Sequence, residues 1–279
     1  MKVKITSPIV SVNWFYKNRN AENILIFNAT IPKVTQKKKF IEEKQLKNTQ
    51  FFDIKGVFSQ QDAQYPNTFI SPEKFEIEAQ KMGVQSTSCI IVYDEIGVYS
   101  SARVWWMFKS MGFDNIAVLN GGLPAWKNEN YPVEEKKDNQ QKIGDFKARF
   151  DPSFFCDKND ILKYITRKDI IILDARSRDR FYGNVVEPRK TCRSGHIPTS
   201  KNLPYATLLQ NGKLKLAEEL HSIFDEIDTE EKQLVFSCGS GITACILALA
   251  ATVAKQKNLC VYDGSWTEWG SELDVPIEV

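Results

Sequence analysis

Short apolar runs alternate with helical stretches along the whole chain. The clearest strand candidates are NILIFNA, CIIVYD, NIAVL, DIIILDA, QLVFSC and NLCVYD. Nearly continuous apolar runs of this kind are typical of strands buried on both faces of a parallel sheet. The clearest helix candidates are SSARVWWMFKSM and ITACILALAATVAK. Strands that alternate with helices predict an α/β fold, built on a central, mainly parallel sheet flanked by helices.

The chain also carries one pattern twice. Residues 90–135 and 234–279 each run through a strand, a loop, a helix, a strand, a small-residue turn, a tryptophan and a closing proline. The matched pairs are Gly121 with Gly264, Trp126 with Trp269, and Pro132 with Pro276. In this alignment Asp94 stands where the second copy has Cys238. The repeat predicts two similar domains that arose by duplication, of which only the second carries the thiol.

A polar, charged segment, VEEKKDNQQKIGDFKAR, separates the two copies and predicts a linker. We therefore expect an N-terminal domain over residues 1–135 without the reactive cysteine, a linker over 136–152, and a C-terminal catalytic domain over 153–279. One large sheet with a coincidental similarity is the alternative, and the number of aligned features makes it the weaker one.

Composition and charge narrow the class of protein. The hydrophobic content of 42% and the charged content of 26% indicate a soluble globular protein. A net charge of +2 gives no reason to expect nucleic acid or an anionic membrane as the main partner. No apolar segment reaches the ~18–20 residues that span a bilayer. The start, MKVKITSPIVSVNWF, lacks both the apolar block of a secretory signal and the Arg-rich, Ser-rich character of a transit peptide.

The cysteines are scattered, with no CxxC pair and no neighbouring histidine. This pattern favours free thiols over a disulfide or zinc framework. The expected location is therefore the cytoplasm, with the mitochondrion as the alternative. The six cysteines are Cys89, Cys156, Cys192, Cys238, Cys245 and Cys260.

Cys238 lies at a turn from strand to helix in LVFSCGSGITACILALAA. Gly239 and Gly241 can adopt left-handed dihedrals, so that successive backbone N–H groups curl into a nest before the helix N-terminus. Such a nest favours a thiolate, which is the reactive form of cysteine, and also an anionic persulfide. Ser240 adds a hydroxyl donor. We expect the turn to expose Cys238. The cysteines expected in the core instead are Cys89, Cys245 and Cys260.

Two other nucleophile motifs are excluded by inspection. A Cys-x5-Arg phosphatase loop needs an arginine where this chain has Ala244. The G-x-S-x-G elbow of serine hydrolases is absent, because Ser240 is flanked two residues away by Cys238 and Ile242. No P-loop or dinucleotide-binding fingerprint occurs either.

The loop CGSGITA resembles the active-site loop of the 3-mercaptopyruvate sulfurtransferases, a family within the rhodanese superfamily. Further matches are GVYSSARVWWMF, LNGGLPAW, RFYGNVVEPR, SGHIP and VYDGSWTEW. The resemblance covers nearly the whole chain and implies two tandem rhodanese-like domains, with the active site near the cleft between them. Thiosulfate-using rhodaneses typically carry basic residues in this loop, whereas Gly239 and Ser240 are of the mercaptopyruvate type.

The resemblance also implies roles for individual residues. Cys238 would be the sulfur-accepting nucleophile, and Ser240 would polarise the substrate. The backbone cradle would comprise Gly239, Ser240, Gly241, Ile242 and Thr243. Arg180 and Arg189 would hold the carboxylate and carbonyl oxygens of a 2-oxo acid, since guanidinium forks bind planar paired oxygens. The arginines assigned instead to a surface charge or a salt bridge are Arg176, which we expect to brace the loop, and Arg178.

The chain departs from the family at a proposed proton relay. Family members often have an aspartate just after FFDI and a histidine further on, which are proposed to act with the loop serine. Here Lys55 follows FFDI, and Asn67 lies near the place of the histidine. Asparagine cannot shuttle protons at neutral pH. His196 in SGHIP is expected to be structural and His221 to lie on a helix surface, so what replaces the relay stays open.

The activity implied by the resemblance is covalent sulfur transfer in two half-reactions. The Cys238 thiolate would take sulfur from 3-mercaptopyruvate, release pyruvate and become a persulfide. A thiol acceptor such as thioredoxin, or cyanide, would then discharge it. No metal or organic cofactor is expected. A thiosulfate sulfurtransferase is the nearest alternative, and the missing relay residues keep a low-turnover persulfide carrier or binding protein open.

Overall fold

The backbone of the chain folds into two compact units. The computed structural model describes residues 2–34, 42–139, 142–227, 229 and 231–279. Unit 1 comprises Met1–Phe58, Ile70–Asp151 and Asn211–Leu214, and unit 2 comprises Ser59–Phe69, Pro152–Gln210 and Lys215–Val279. The domain and linker boundaries drawn from the sequence stay a prediction.

The secondary structure of the described residues alternates between strands and helices in both units. The strands are β1 (Ile9–Val10), β2 (Ile24–Asn28), β3 (Lys44–Gln45), β4 (Thr49–Phe51), β5 (Cys89–Tyr93), β6 (Ile116–Leu119), β7 (Glu134–Glu135), β8 (Phe155–Cys156), β9 (Ile170–Asp174), β10 (Lys201–Asn202), β11 (Leu209–Gln210), β12 (Lys213–Leu214), β13 (Gln233–Ser237) and β14 (Leu259–Tyr262). The helices are α1 (Val12–Asn18), α2 (Pro72–Lys81), α3 (Ser101–Ser110), α4 (Gly122–Asn128), α5 (Lys158–Tyr164), α6 (Arg178–Phe181), α7 (Ala217–Asp225), α8 (Ala244–Val253) and α9 (Ser265–Trp269).

Unit 1 is built on a parallel sheet with the strand order β1-β6-β5-β2-β4. Its central strand β5 is buried along its whole length, which explains the uninterrupted apolar run CIIVY. Helix α3 packs against β5 and β6. Aromatic side chains fill the core beside this sheet, with the rings of Phe52 and Phe58 stacked at 3.7 Å and Phe75 edge-on to Phe108 at 5.0 Å.

Unit 2 repeats this architecture with a parallel sheet in the order β10-β9-β13-β14-β8. Val235 in β13 pairs with Ile172 in β9 and Cys260 in β14. Helix α8 packs against β13 and β14. Residues 244–251 of this helix are all buried, and its small alanines let the backbone approach the sheet closely. The sheet and α8 therefore fix the direction of the turn between them, which carries Cys238.

Matching hydrogen bonds confirm the repeat that the sequence predicts. The indole nitrogen of Trp126 donates to the carbonyl of Pro132 at 2.9 Å, and that of Trp269 donates to the carbonyl of Pro276 at 2.8 Å. Both closing prolines thus serve as the acceptor for the tryptophan of their own copy. Two parallel sheets with helices confirm the predicted fold class, and the alternative of one large sheet is wrong.

The predicted elements also lie where the sequence puts them. Each of the six apolar runs contains an observed strand, and both predicted helices are present as α3 and α8. Cys89, Cys245 and Cys260 are buried, as predicted. Within the described part of the chain, no helix has both the length and the apolar character needed to cross a bilayer.

Candidate active site

Cys238 follows directly on β13, at the carboxyl edge of the unit 2 sheet. Ser237, the last residue of β13, pairs with Asp174 at the end of β9. Ligands of open parallel sheets bind outside this edge, because the loops that follow the strands meet there. The prediction that the turn exposes Cys238 is wrong, since the residue is only 1% exposed. The chain beyond β14 returns over the turn and covers it.

Helix α9 is the element that covers the turn and orients its backbone. The amide of Trp266 donates to the carbonyl of Cys238 at 2.9 Å, and the amide of Thr267 donates to the carbonyl of Gly239 at 2.9 Å. The Thr267 hydroxyl donates to the same carbonyl of Gly239. The first turn of α9 therefore binds two carbonyl groups on one side of the loop. The opposite side of the loop is left for the loop amides.

Ser265 holds the loop from inside. Its Oγ accepts from the amides of Cys238 at 3.1 Å and Gly241 at 3.2 Å, donates to the carbonyl of Tyr262 at 2.8 Å, and lies 3.9 Å from the Cys238 Sγ. Ser265 is fully buried and has a φ of +50°, a left-handed conformation that is uncommon outside glycine and asparagine. The hydroxyl thus ties both ends of the Cys-Gly-Ser-Gly turn to the end of β14.

The remaining amides of the turn are those that the sequence assigns to a cradle. Among the residues that the structure describes, no group accepts a hydrogen bond from the amides of Gly239, Ser240, Ile242 or Thr243. Gly241 adopts a φ of +74°, and helix α8 begins at Ala244, after Ile242 and Thr243. A left-handed residue before a helix N-terminus is the usual geometry of an anion-binding nest. The loop therefore offers donors without acceptors beside the sulfur.

Arg180 reaches the same loop from helix α6. Its Nε and Nη2 donate to the carboxylate of Glu187 at 3.0 and 2.6 Å. Burial of Arg180 is the largest single effect and opposes its charge, but the hydrogen bonds to Glu187 and the attraction of nearby negative groups together raise the pKa of Arg180 above its ordinary value. A Cβ placed on Gly239 would lie 3.3 Å from the Arg180 Nη2. The outer edge of the guanidinium therefore lies against the loop, while Glu187 fixes its inner edge.

Arg189 approaches the loop beside Arg180. Its Nη2 donates to the Ser240 Oγ at 3.2 Å, and its Nη1 lies 3.6 Å from the position of a Cβ on Gly239. A Cβ at position 239 would press on the guanidinium of Arg180 and touch that of Arg189. Glycine at this position thus lets two cations lie within reach of one short turn.

Arg176 supports this arrangement from below. It forms a buried ion pair with Asp174 at 2.7 Å, a second with Glu187 at 3.1 Å, and stacks over the Trp266 ring at 4.3 Å. Glu187 is thereby shared between Arg176 and Arg180. The assignment of Arg176 to a salt bridge is confirmed, its bracing of the loop stays a prediction, and Arg178 is exposed.

Asn67 lies near the place where the family pattern suggests a histidine. Its Nδ2 lies 3.0 Å from the Ser240 Oγ and 3.2 Å from the Ser240 carbonyl oxygen. Lys55, the other departure, is exposed in unit 1. His196 is buried, stacks on Phe181 at 3.8 Å and contacts the Phe181 carbonyl through Nδ1, so it is structural as expected.

The structure thus brings together the sequence-predicted Cys238, Gly239, Ser240, Gly241, Ile242, Thr243, Arg180 and Arg189. Sequence reasoning missed Ser265, Thr267 and Glu187 as supporting residues. The signal for Ser265 and Thr267 was the motif GSWTEW after the last strand, which matches GGLPAW in the first copy. Glu187 lies between the two predicted arginines in RFYGNVVEPR. His221 lies exposed on α7, as expected. No cluster of three or more metal-ligating side chains occurs among the described residues.

The fold and this loop define a class of protein, and comparison with known families agrees. The rhodanese-like domain family matches residues 11–129 and again residues 157–272. The chain therefore belongs to the rhodanese family, as a protein with two tandem rhodanese domains.

The chain is similar to several sulfurtransferases. The 3-mercaptopyruvate sulfurtransferase of Escherichia coli (strain K12) is 32% identical over 98% of this chain and 98% of that protein. The mitochondrial thiosulfate/3-mercaptopyruvate sulfurtransferase 1 of Arabidopsis thaliana is 34% identical over 99% of this chain and 79% of that protein. The crystal structure of the 3-mercaptopyruvate sulfurtransferase SseA from Escherichia coli superposes with a TM-score of 0.83 at 30% identity, covering 94% of this chain and 99% of that one.

Proposed function

We propose that this protein is a sulfurtransferase that moves sulfur from 3-mercaptopyruvate to a thiol acceptor through a Cys238 persulfide. The observation that carries the proposal is the turn after β13, where Cys238 is followed directly by residues whose amides have no acceptor among the described residues, with two guanidinium groups beside Gly239. The names of the similar proteins support the same reaction.

Arg180 and Arg189 bind the substrate. The 2-oxo acid end of 3-mercaptopyruvate carries a carboxylate and a carbonyl oxygen in one plane, which a guanidinium fork binds with two hydrogen bonds. Arg180 has its inner edge bound to Glu187, so its outer edge serves the substrate. Arg189 provides the second cation, and its contact with Ser240 places the serine hydroxyl beside the substrate.

The first half-reaction moves one sulfur atom. The Cys238 thiolate attacks the substrate sulfur and forms the S–S bond. The C–S bond then breaks, with its electron pair passing into the enolate of pyruvate. The enolate carbon takes up the proton that the substrate thiol gives up. The products are therefore pyruvate and an anionic persulfide. The loop amides of Gly239, Ser240, Ile242 and Thr243 stabilise this outer sulfur.

The second half-reaction discharges the persulfide. The thiolate of an acceptor attacks the outer sulfur, and Cys238 leaves as a thiolate. A dithiol protein such as thioredoxin fits this chemistry, because its second thiol can expel the transferred sulfur as sulfide and form a disulfide. Cyanide would instead give thiocyanate. The cytoplasm is the proposed compartment, with the mitochondrion as the alternative.

Intact-mass measurement tests the proposal directly. After exposure to 3-mercaptopyruvate, the wild type should gain one sulfur, a mass increase of about 32 Da. The increase should be absent in Cys238→Ala and unchanged in Cys192→Ala, a half-buried thiol outside the loop. A wild type that gains no sulfur contradicts the proposal.

Thiosulfate is a second candidate donor, because the Arabidopsis thaliana protein is named for both donors. Initial rates on 3-mercaptopyruvate and thiosulfate, measured at equal enzyme concentration, decide between them. We expect the rate on 3-mercaptopyruvate to be higher, since the loop residues Gly239 and Ser240 are uncharged and a 2-oxo acid fits the paired arginines.

A further inference from the structure

The contact between Asn67 and Ser240 has a defined polarity. Asn67 is only 7% exposed, and its Nδ2 approaches two oxygens of Ser240, the carbonyl at 3.2 Å and Oγ at 3.0 Å. A carbonyl oxygen can only accept, so the amide of Asn67 must present its NH₂ group to Ser240. Asn67 is therefore a donor to the serine hydroxyl. Its φ of +65° is one that asparagine tolerates better than most residues.

A second donor occupies the same hydroxyl oxygen. The Nη2 of Arg189 lies 3.2 Å from the Ser240 Oγ, and a guanidinium has no acceptor atom. A hydroxyl oxygen has two lone pairs, so Asn67 and Arg189 together use its capacity to accept. The hydroxyl hydrogen must then point in another direction. Among the described residues, none accepts it.

We infer that Asn67 is a positioning residue that makes the Ser240 hydroxyl an obligatory donor to the carbonyl oxygen of the substrate, an inference that rests on the proposed function. That oxygen gains negative charge as the C–S bond breaks and the enolate forms. A donor aimed at it strengthens as the charge develops, which lowers the barrier. No proton needs to leave Ser240, because the substrate thiol supplies the proton that the enolate carbon takes up.

This arrangement is the reverse of a serine–base relay. A neutral imidazole nitrogen or a carboxylate at position 67 would accept the hydroxyl hydrogen and turn it away from the substrate. The amide NH₂ of Asn67 cannot accept it. Asn67 is thus a donor of fixed direction near the place where the family pattern suggests a proton acceptor.

The variant Asn67→Asp tests the polarity with almost no change of shape. An ionised carboxylate would accept from Ser240, so we expect kcat/KM for 3-mercaptopyruvate to fall on the order of 100-fold at pH 8. The loss should shrink as the pH is lowered to 5 and the introduced carboxyl gains a proton that it can donate. The charged group in contact with this hydroxyl is Arg189, whose guanidinium has no acceptor atom. The ratio of variant to wild type cancels any pH dependence that the two proteins share.

Three further variants make the readout specific. Asn130→Asp places the same change at an exposed asparagine with a φ of +56° in unit 1, and it should leave kcat/KM unchanged at every pH. In a Ser240→Ala background, the pH-dependent part of the Asn67→Asp effect should vanish, because its target is gone. Asn67→Ala should cause a smaller loss, about tenfold, without recovery in acid. It serves as the test if Asn67→Asp does not fold.

Calorimetric binding of pyruvate separates this inference from the proposed function. A wild type without turnover on 3-mercaptopyruvate contradicts the function, but pyruvate still tests the hydroxyl. Weaker binding of pyruvate to Asn67→Asp at pH 8, restored at pH 5, supports the inference. Equal binding by the two proteins, or no binding by wild type, overturns it. Full activity of Asn67→Asp at pH 8, or a loss that does not change with pH, overturns the inference alone.

Discussion

The turn after β5 in unit 1 and the turn after β13 in unit 2 share one backbone arrangement but begin at different side chains, Asp94 and Cys238. In unit 1 the amide of Leu123 donates to the Asp94 carbonyl at 2.9 Å, as the amide of Trp266 does to the Cys238 carbonyl at 2.9 Å in unit 2. The two turns thus begin at equivalent residues and are held by the helix that follows the next strand.

The Asp94 turn carries its own anion. The carboxylate accepts from the amides of Tyr99 at 2.8 Å, Ser100 at 3.0 Å and Ser101 at 3.0 Å, and from both serine hydroxyls. Burial raises the pKa of Asp94, and these hydrogen bonds oppose the rise. Unit 1 therefore uses the amides before α3 for a side chain, whereas unit 2 leaves the equivalent amides before α8 without an acceptor.

The two turns also differ in the first residue of the helix that binds each of them, α4 in unit 1 and α9 in unit 2. Gly122 has a φ of +56°, and a Cβ placed there would lie 2.2 Å from the Asp94 carbonyl oxygen. Ser265 holds the equivalent position with a φ of +50°, and its hydroxyl binds the amides of Cys238 and Gly241. The same fold therefore carries either a closed structural turn or a turn ready for a ligand anion, and few residues decide between them.

Replacing the nucleophile should have the largest effect on activity. We expect Cys238→Ala to lower kcat/KM on 3-mercaptopyruvate by at least ~10³-fold, because no other group in the loop can form the persulfide. The measurement is the initial rate of pyruvate release, with a thermal unfolding curve to show that the variant folds. Residual activity within tenfold of wild type would assign the chemistry to another thiol.

The matching change in unit 1 should act on stability. Asp94→Asn sets an NH₂ group against amides and hydroxyls that now donate to a carboxylate, which leaves buried donors unsatisfied. We expect unit 1 to lose about 3 kcal/mol of unfolding free energy. Urea unfolding followed with a probe in each unit measures it, since two units need not unfold as one transition. A variant as stable as wild type would mean that the Asp94 hydrogen bonds are dispensable.

The same two turns show what the sequence can predict. The strands β5 and β13 were predictable because each is buried on both faces and reads as an apolar run. The alignment of Asp94 with Cys238 followed from the repeat. The burial of Cys238 was not predictable, because the contacts of its turn, such as those with Trp266 and Thr267, depend on tertiary packing.

Other parts of the site depend on contacts between distant residues. Two-residue strands such as β1 and β8 have no run long enough to form a pattern. The hydrogen bond from Asn67 to Ser240 joins positions far apart in the chain, and the motif comparison could only mark a missing histidine. The sharing of Glu187 by Arg176 and Arg180 likewise needs the folded helix α6 and the loop after it.

Removing one of the two arginines beside the unit 2 turn should weaken substrate binding. Arg189→Ala should raise KM for 3-mercaptopyruvate about 10–100-fold, the loss expected for a charge-assisted hydrogen bond, and should raise KM for thiosulfate much less. Thiosulfate has no carboxylate for the arginine to hold. Steady-state rates over a range of both donors give the two constants, and equal increases would contradict the carboxylate assignment.

The smallest expected effect comes from the hydroxyl that holds the unit 2 turn. Ser265→Ala removes the acceptor for the amides of Cys238 and Gly241, and we expect kcat to fall about tenfold with little change in KM. The variant Ser265→Gly is the matched control, since it also removes the hydroxyl but relieves the left-handed φ, as Gly122 does in unit 1. If both variants lose the same activity while only Ser265→Gly keeps wild-type stability, the hydroxyl orients the loop and the backbone strain is a separate cost. Wild-type kcat in both would show that α9 alone orients the turn, so that the difference between the two units lies in Cys238 and Asp94.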